Sequence, residues 1–434
     1  MAGGHRPAVS DARQAVAAVW RIESARIVGA LARHTGDFAQ AEDAAQEALA
    51  EALVSWPRQG LPRDPAAWLM AAGRRRAIDA FRRRAGLDRR YALLARDLAE
   101  GGAATGGPAR AERPEDVVAD PDGIGDDVLA LVFVACHPLV SPEARVALTL
   151  RVVGGLASDE IARAFLVPTA TVQARITRAK KTLSAAGVPF EVPPPEERRQ
   201  RLGSVLSVVY LIFTEGSTAS SGDDLIRSDL AYEAVRLARV LAQLVPGEAE
   251  VHGLLALLEL TAARFPARTA PGGDPVLLAD QDRRRWDRSA IRRGRAALAR
   301  AAAAGRGLGA YGLQAAIAEC HAVAPSVEAT DWERIVVLYE ALARLAPSPI
   351  VELNRAVALS MARGPDAALA VVDELAAQGR LAASHLLASV RGELLARLGR
   401  TAEARAELTR ALDACESSRQ RSVLHHKLRA LAAP

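Results

Sequence analysis

The chain is poor in sulfur and in aromatic rings. Its 434 residues hold three cysteines, Cys136, Cys320 and Cys415, and three methionines. The cysteines stand singly, without a CxxC pair or a histidine at ligand spacing. That excludes a disulfide framework and a zinc site, and it fits a reducing compartment. Aromatics make up 4% of the residues while alanine and leucine dominate, which favours close-packed helices over sheets and predicts an all-α fold. No apolar run approaches the ~20 residues of a membrane span, and the N-terminus lacks the apolar core of a secretion signal. A soluble, cytoplasmic protein with no membrane contact is expected. Glycine-rich phosphate loops, nucleophile elbows and HExxH motifs are absent, and the histidines form no cluster beyond His425-His426. The sequence therefore predicts no catalytic residues, no bound metal and no cofactor.

Charge is plentiful and of both signs, 56 Lys and Arg against 51 Asp and Glu. Its placement matters more than its balance. Residues 154–185 read GGLASDEIARAFLVPTATVQARITRAKKTLSA, a helix-turn-helix pattern. Ser158 or Asp159 is expected to cap a short helix whose apolar side is Ile161, Ala162 and Phe165. Val167-Pro168 stops it, because a residue before proline is pushed out of the helical region. Thr169 is expected to cap a second helix, in which Val172, Ile176, Ala179 and Leu183 recur as one buried stripe. Its polar residues include Arg175, Arg178, Lys180 and Lys181, with no carboxylate between Thr169 and Ala185. A purely basic polar face suits DNA, since each phosphate neutralised releases counterions. The alternative is a solvated basic helix.

At about 100° per residue, Thr171, Arg175 and Arg178 share one flank, and Lys181 lies opposite the stripe. Recognition helices place their N-terminal residues against base edges in the major groove. Thr171 and Arg175 are therefore candidate base readers, and Arg178 and Lys181 candidate phosphate contacts.

Upstream, residues 12–85 read as three or four helices. The first runs from Ala15 to about His34, with Val16, Val19, Ile22, Ile27 and Leu31 apolar. Thr35-Gly36-Asp37 makes a turn and cap. A second helix from Ala39 to Trp56 ends at Pro57, and a third spans Ala66 to Arg84. The second carries Glu42, Asp43, Glu47 and Glu51 with no base nearby in sequence. Asp43/Glu47 and Glu47/Glu51 are like-charged i,i+4 pairs, each destabilising by roughly 0.2–0.5 kcal/mol in isolation. A basic partner surface would relieve them; a solvated acidic face is the plainer reading. The third helix is the opposite case: Arg74, Arg75, Arg76, Arg82, Arg83 and Arg84 surround a single Asp79, with Trp68, Leu69, Ile78 and Phe81 beside them. Such a set suits phosphate contact and stacking on unpaired bases, or else an ordinary basic surface.

The order of these pieces is specific. AEDAAQEA (41–48), then PAAWLMAAGRRRAIDAFRRR (65–84), a variable linker, and then VPTATVQARITRAKKTL (167–183) resemble a sigma-70-type initiation factor of the compact extracytoplasmic-function group. The resemblance covers roughly residues 10–187. It implies that Asp43, Gln46 and Glu47 contact core RNA polymerase. It further implies that Arg74, Arg75, Arg76 and Arg82 contact the melted −10 strand of promoter DNA, and that Thr169, Thr171, Arg175, Arg178 and Lys181 contact the −35 element. Many relatives carry Asn at the position of Arg75 and a basic residue at Gln173, so promoter sequence does not carry over. Trp68 matches a family aromatic whose expected role is packing.

Residues 86–127 are expected to form a flexible acidic linker, with nine carboxylates against two arginines from Asp97 to Asp127. It is either a solubilising tether or a nucleic-acid mimic. After Pro193-Pro194-Pro195 the pattern changes. Leu202 to Phe213 is strongly apolar, and Ala231–Leu244 with Glu248–Arg264 read as a hairpin broken at Pro246-Gly247. Residues 354–375 and 389–412 repeat at about 35 residues, with turns at Gly364 and Gly399. That layout suggests tetratricopeptide-type repeats in a helical solenoid.

The expected organisation is thus a region-2-like domain at 10–85, the linker at 86–127, a region-4-like domain at 128–187 and a helical domain at 196–434. The whole resembles sigma factors with a tetratricopeptide-like extension, for which an intramolecular or protein partner is expected. Segments 213–244 and 277–291 look like signature stretches of that extension. The carboxylates and arginines in them (Glu215, Asp223, Asp224, Arg227 and Asp229; Asp280, Asp282, Arg285 and Asp287, beside Trp286) are expected to bridge helices. A helix-turn-helix regulator with a ligand-sensing domain and a nucleic-acid-tethered scaffold remain as rivals. An enzyme is opposed by the missing catalytic constellation.

Overall fold

A computed structural model of the chain describes residues 9–99, 123–165, 167–217, 228–270, 276–304, 307–381, 384–415 and 418–431. Every regular element among them is helical, eighteen α-helices with three short 3₁₀ turns. The expected linker falls largely outside these residues, as do Asp223, Asp224 and Arg227 of the first signature stretch. The chain divides into two compact units, residues 1–208 and 209–434.

In the first unit, α1 (Val9–Thr35), α2 (Phe38–Gln59) and α3 (Pro65–Ala99) pack on one another. The face of α1 is Val16, Trp20, Ile27, Val28 and Leu31, all buried, while Ile22 is 70% exposed. Ile22 had been expected in the stripe; Trp20 and the buried Ser24 occupy the covered side instead. Asp37 caps α2, accepting from the N–H groups of Ala39 at 2.8 Å and Gln40 at 3.2 Å. Pro57 does not end α2. It forfeits one i→i−4 bond in the last turn, and the helix closes at Gly60, whose N–H donates to the Trp56 carbonyl at 2.9 Å. α3 likewise outruns its expected end, because the residues after Arg84 (AGLDRRYALLARDLA) are mostly good helix formers. The segment 86–99, expected as linker, is helix.

Four further helices follow: α4 (Gly123–Ala135), α5 (Pro142–Val152), α6 (Ser158–Phe165) and α7 (Thr169–Ala185). α6 and α7 are the expected helix-turn-helix, with corrected caps. Ser158 is the first helical residue rather than the cap, and the Glu160 carboxylate reaches back to accept from the Ala157 N–H at 2.8 Å. Thr169 also lies inside its helix; Pro168 takes the cap position and offers no side-chain acceptor. α8 (Pro195–Ser217) runs from residue 195 to 217, longer than the apolar stretch that announced it.

The second unit continues with α9 (Ser228–Leu244) and α10 (Ala249–Ala262), the expected hairpin. α10 is buried on nearly all sides, which marks it as a central helix. Its one buried carboxylate, Glu259, is held by Arg239 at 2.6 Å and Arg293 at 3.0 Å. The following helices are α11 (Arg288–Ala303), α12 (Ala310–Val323), α13 (Trp332–Leu345), α14 (Pro349–Arg363), α15 (Pro365–Ala377), α16 (His385–Arg397), α17 (Thr401–Asp413) and α18 (Ser418–Ala430). From α12 onward each packs on the next in sequence, the nearest-neighbour logic of a solenoid. Gly364 and Gly399 turn the repeats at φ 95° and 74°, values that a β-carbon disfavours. Arg391 ties one repeat to the next through Asp373 at 2.7 Å and Glu407 at 2.8 Å.

Candidate nucleic-acid interface

Burial of α7 follows its sequence period. Val172, Ile176, Ala179 and Leu183 are its buried residues, and they fix which side faces outward. Thr169, Arg178 and Lys181 are exposed, and Thr171 and Arg175 are partly exposed. Among the described residues, Arg175, Arg178 and Lys181 have no salt-bridge partner; the Arg178 guanidinium donates only to the Ala174 carbonyl of its own helix, at 3.3 Å. Three cations therefore stand open on one side of a rigid helix. Arg175 also lies close enough to Glu143 to help hold that carboxyl below its usual range, after the larger effects of hydrogen bonds from the Glu143 backbone and Ser141.

Lys180 is the exception. It sits on the flank opposite Arg175 and reaches α2, where its ammonium donates to Glu42 at 2.7 Å and to Asp43. Arg151 of α5 meets the other oxygen of Glu42 at 3.4 Å. The Glu42 side chain is 5% exposed, so this carboxylate is sunk between two cations. Burial pulls the Lys180 ammonium down, but the charge of Glu42 and the hydrogen bonds to both carboxylates outweigh it, and its pKa is raised.

Other contacts join the same two groups of helices. Arg21 pairs with Glu160 at 2.8 Å and Arg33 with Asp127 at 3.0 Å. Gly155, at φ 70°, lies against α1 so closely that a β-carbon would stand 2.7 Å from the Ser24 hydroxyl.

The acidic face of α2 is thus not without bases, contrary to the expectation from sequence. Besides Lys180 and Arg151, Arg76 of α3 meets Glu51 at 2.9 Å and Glu47 at 3.9 Å, and Arg75 meets Glu51 at 3.4 Å. The like-charged pairs on α2 are relieved from within the chain, because residues 24 to 138 positions away in sequence fold onto them. Asp43 and Glu47 remain exposed, Gln46 is partly exposed, and all three lie on α2. Of the expected −10 contacts, Arg75 and Arg76 are engaged with this acidic ridge. Arg74 and Arg82 have no salt-bridge partner among the described residues, with Arg74 partly exposed and Arg82 exposed. Trp68 packs edge-on against Trp56, their centroids 5.5 Å apart, in keeping with a packing role.

Sequence reasoning missed the Lys180–Glu42–Arg151 contact. Its signal was faint: Lys180 falls about 80° from Val172 on the wheel, on the opposite side from Arg175 and Arg178.

In the second signature stretch, Asp282 and Asp287 do not bridge helices as expected among the described residues. Asp282 accepts from the Arg284 N–H at 3.0 Å, and Asp287 caps α11 through Ser289 at 2.8 Å and Ala290 at 3.0 Å. Short-range capping wins because both precede helical turns. Trp286 is buried there.

Comparisons with known proteins agree with this layout. Residues 21–86 match the family model of sigma-70 region 2, and residues 131–183 that of sigma-70 region 4. Residues 201–302 match a family of unknown function (DUF6596), and residues 293–433 match a tetratricopeptide repeat-like domain. An uncharacterized protein of Rhizobium meliloti is 44% identical over 408 residues, covering 94% of this chain and 93% of its own length. No solved structure matches the chain.

Proposed function

This chain belongs to the sigma-70 family of transcription initiation factors, in its extracytoplasmic-function form with a tetratricopeptide-like extension, and we propose that it is an alternative sigma factor that binds core RNA polymerase and directs it to a particular promoter class. In this reading Asp43, Gln46 and Glu47 dock on polymerase, and Arg74, Arg75, Arg76 and Arg82 contact the melted −10 strand. Thr169, Thr171, Arg175, Arg178 and Lys181 contact the −35 duplex. The chain supplies recognition and the polymerase supplies the chemistry, so no catalytic residue or cofactor of its own is assigned. It works in the cytoplasm, where polymerase and promoter DNA are. The helices after residue 196 serve as a regulatory module that binds the sigma domains or another protein.

One observation carries the reading most directly. The flank of α7 that bears Arg175 and Arg178 stands open while Lys180 is turned to α2, which matches a helix that offers one face to a DNA groove and another to its own protein. The test is run-off transcription with purified core polymerase over a promoter library. Specific start sites with a shared −10 and −35 pattern are expected. Arg175→Ala should relax preference at one −35 position, and Lys181→Ala should lower the salt slope of binding by about 0.9, the value for one phosphate. No specific initiation by a folded protein would reject the proposal. Tight, sequence-specific duplex binding without polymerase would favour a helix-turn-helix regulator instead.

A further inference from the structure

Several arginines in the second unit are held by carboxylates. Arg239 and Arg293 share Glu259, Arg295 meets Glu319 at 2.8 Å, Arg363 meets Glu333 at 2.9 Å, and Arg391 bridges two carboxylates. One group departs from this pattern. Arg264 and Arg268 stand one helical turn apart at either end of the 3₁₀ turn Phe265–Ala267, and Arg283 opens a second 3₁₀ turn, Arg283–Arg285. All three are partly buried, and none forms a salt bridge among the described residues. Arg264 and Arg268 form no side-chain hydrogen bond there either.

Arg283 is fixed in place. Its Nη1 donates to the carbonyls of His321 at 2.7 Å and Ala324 at 2.8 Å, which closes the end of α12. Its guanidinium lies over the buried Trp286 ring, 4.6 Å from the centroid. The other nitrogen, Nη2, is buried without a partner, as is Nδ1 of His321. The His321 ring in turn packs edge-on against Trp332 at 5.2 Å. Arg268 lies over the Phe265 ring at 5.8 Å.

Arg264 feels the charges of the other two. Burial, then Arg268 and Arg283, lowers the Arg264 guanidinium to about 10, and burial, then Arg264 and Arg283, lowers His321 to about 4. Glu328 acts on Arg283 from an exposed position, and among the described residues no carboxylate pairs with any of the three guanidinium groups. Burying like charges without counter-charge is costly, and a bound anion removes that cost. Guanidinium forks match phosphate and carboxylate oxygens in pairs, and three of them call for more than a single negative charge. A phosphate group carries about −1.5 to −2 at neutral pH and has three acceptor oxygens.

We propose that Arg264, Arg268 and Arg283 form a binding site for a small phosphate-bearing ligand, placed where the end of α10 meets the end of α12. The neutral His321 and the rings of Phe265 and Trp286 hold the guanidinium groups in position. The site gives the C-terminal unit a chemical input that is separate from the DNA-reading and polymerase-docking residues.

Calorimetric titration of the full-length protein with inorganic phosphate, in chloride buffer at fixed ionic strength, tests this. Parallel arms use glycerol phosphate and succinate. One saturable site for both phosphates is expected, with weaker binding of succinate. Arg268→Gln and Arg283→Gln should each weaken phosphate binding about tenfold or more, the factor for one charge-assisted hydrogen bond. Thermal unfolding gives a second readout that does not depend on measurable heat. Without phosphate, Arg268→Gln should match or exceed the wild-type Tm, because a like charge is gone; with saturating phosphate the order should reverse. No saturable phosphate binding by the folded wild-type protein overturns the proposal. So does binding that survives both substitutions unchanged, or an equal preference for succinate.

Discussion

Lys180→Met is the most informative single change in the first unit, because Lys180 links α7 to the acidic helix α2. The Lys180 side chain is 15% exposed and that of Glu42 is 5% exposed, so the pair is well shielded. Removing one partner of a buried pair costs about 3–5 kcal/mol. Here Arg151 still reaches Glu42 at 3.4 Å, and some solvent reaches Lys180, so a coupling of about 2 kcal/mol is expected. The exposed pair Arg163–Asp159, 69% and 56% exposed, should by contrast be worth about 0.5 kcal/mol or less.

The assay is a double-mutant cycle over Lys180→Met and Glu42→Gln, read as the opening free energy of α7 amides by native-state hydrogen exchange. Core polymerase binding is the second readout. If α7 covers the face of α2 that docks on polymerase, releasing about 2 kcal/mol tightens core binding by up to about 30-fold. A coupling below about 0.5 kcal/mol would refute the buried-pair reasoning. A confirmed coupling with unchanged core affinity would show instead that polymerase docks elsewhere on α2. The pH dependence has a definite sign. The folded pKa of Lys180 is raised, so its contribution is full below the ordinary lysine value of about 10.4 and is lost as pH rises through the folded value.

Three further outcomes are expected. Asp37→Ala removes both cap bonds at the start of α2 and should cost about 1 kcal/mol, measurable by urea unfolding followed through Trp20 and Trp56 fluorescence. Gly155→Ala puts a β-carbon at φ 70° and 2.7 Å from the Ser24 hydroxyl; unfolding should show a loss of more than about 1 kcal/mol, with α5 and α6 amides exchanging faster. His321 is held neutral, with a folded pKa of about 4, so its contribution is full above the unfolded value of about 6.5 and is lost as pH falls from there to 4. His321→Leu should flatten that part of the stability–pH curve in thermal unfolding, and an unchanged slope would contradict the assignment.

Much of the architecture follows from local rules. The stripe Val172, Ile176, Ala179 and Leu183 was readable because a helix repeats its faces every 3.6 residues, and the structure buries those four on α7. The turn at Asp37 and the breaks at Gly364 and Gly399 were readable for the same reason: capping and left-handed φ depend on the residue at the spot. Helix ends were less legible. Pro57 and the residues after Arg84 mislead because a helix ends where tertiary packing and bonding stop supporting it, not at the first weak residue.

What only the tertiary structure decided is the partner of each charge. Sequence alone placed a basic set on the helix-turn-helix and an acidic set on α2, in the order of a sigma factor. It could not say that Lys180 leaves the basic set to meet Glu42 and Asp43, nor that Arg75 and Arg76 answer Glu51. Nor could it say that Arg264, Arg268 and Arg283 lie near one another with no salt-bridge partner among the described residues. Coulomb interactions act through space and depend on burial, whereas helical periodicity acts along the chain. The sequence therefore carried the period, the family and the open face of α7, and the fold decided which of the charges were already spent on the protein itself.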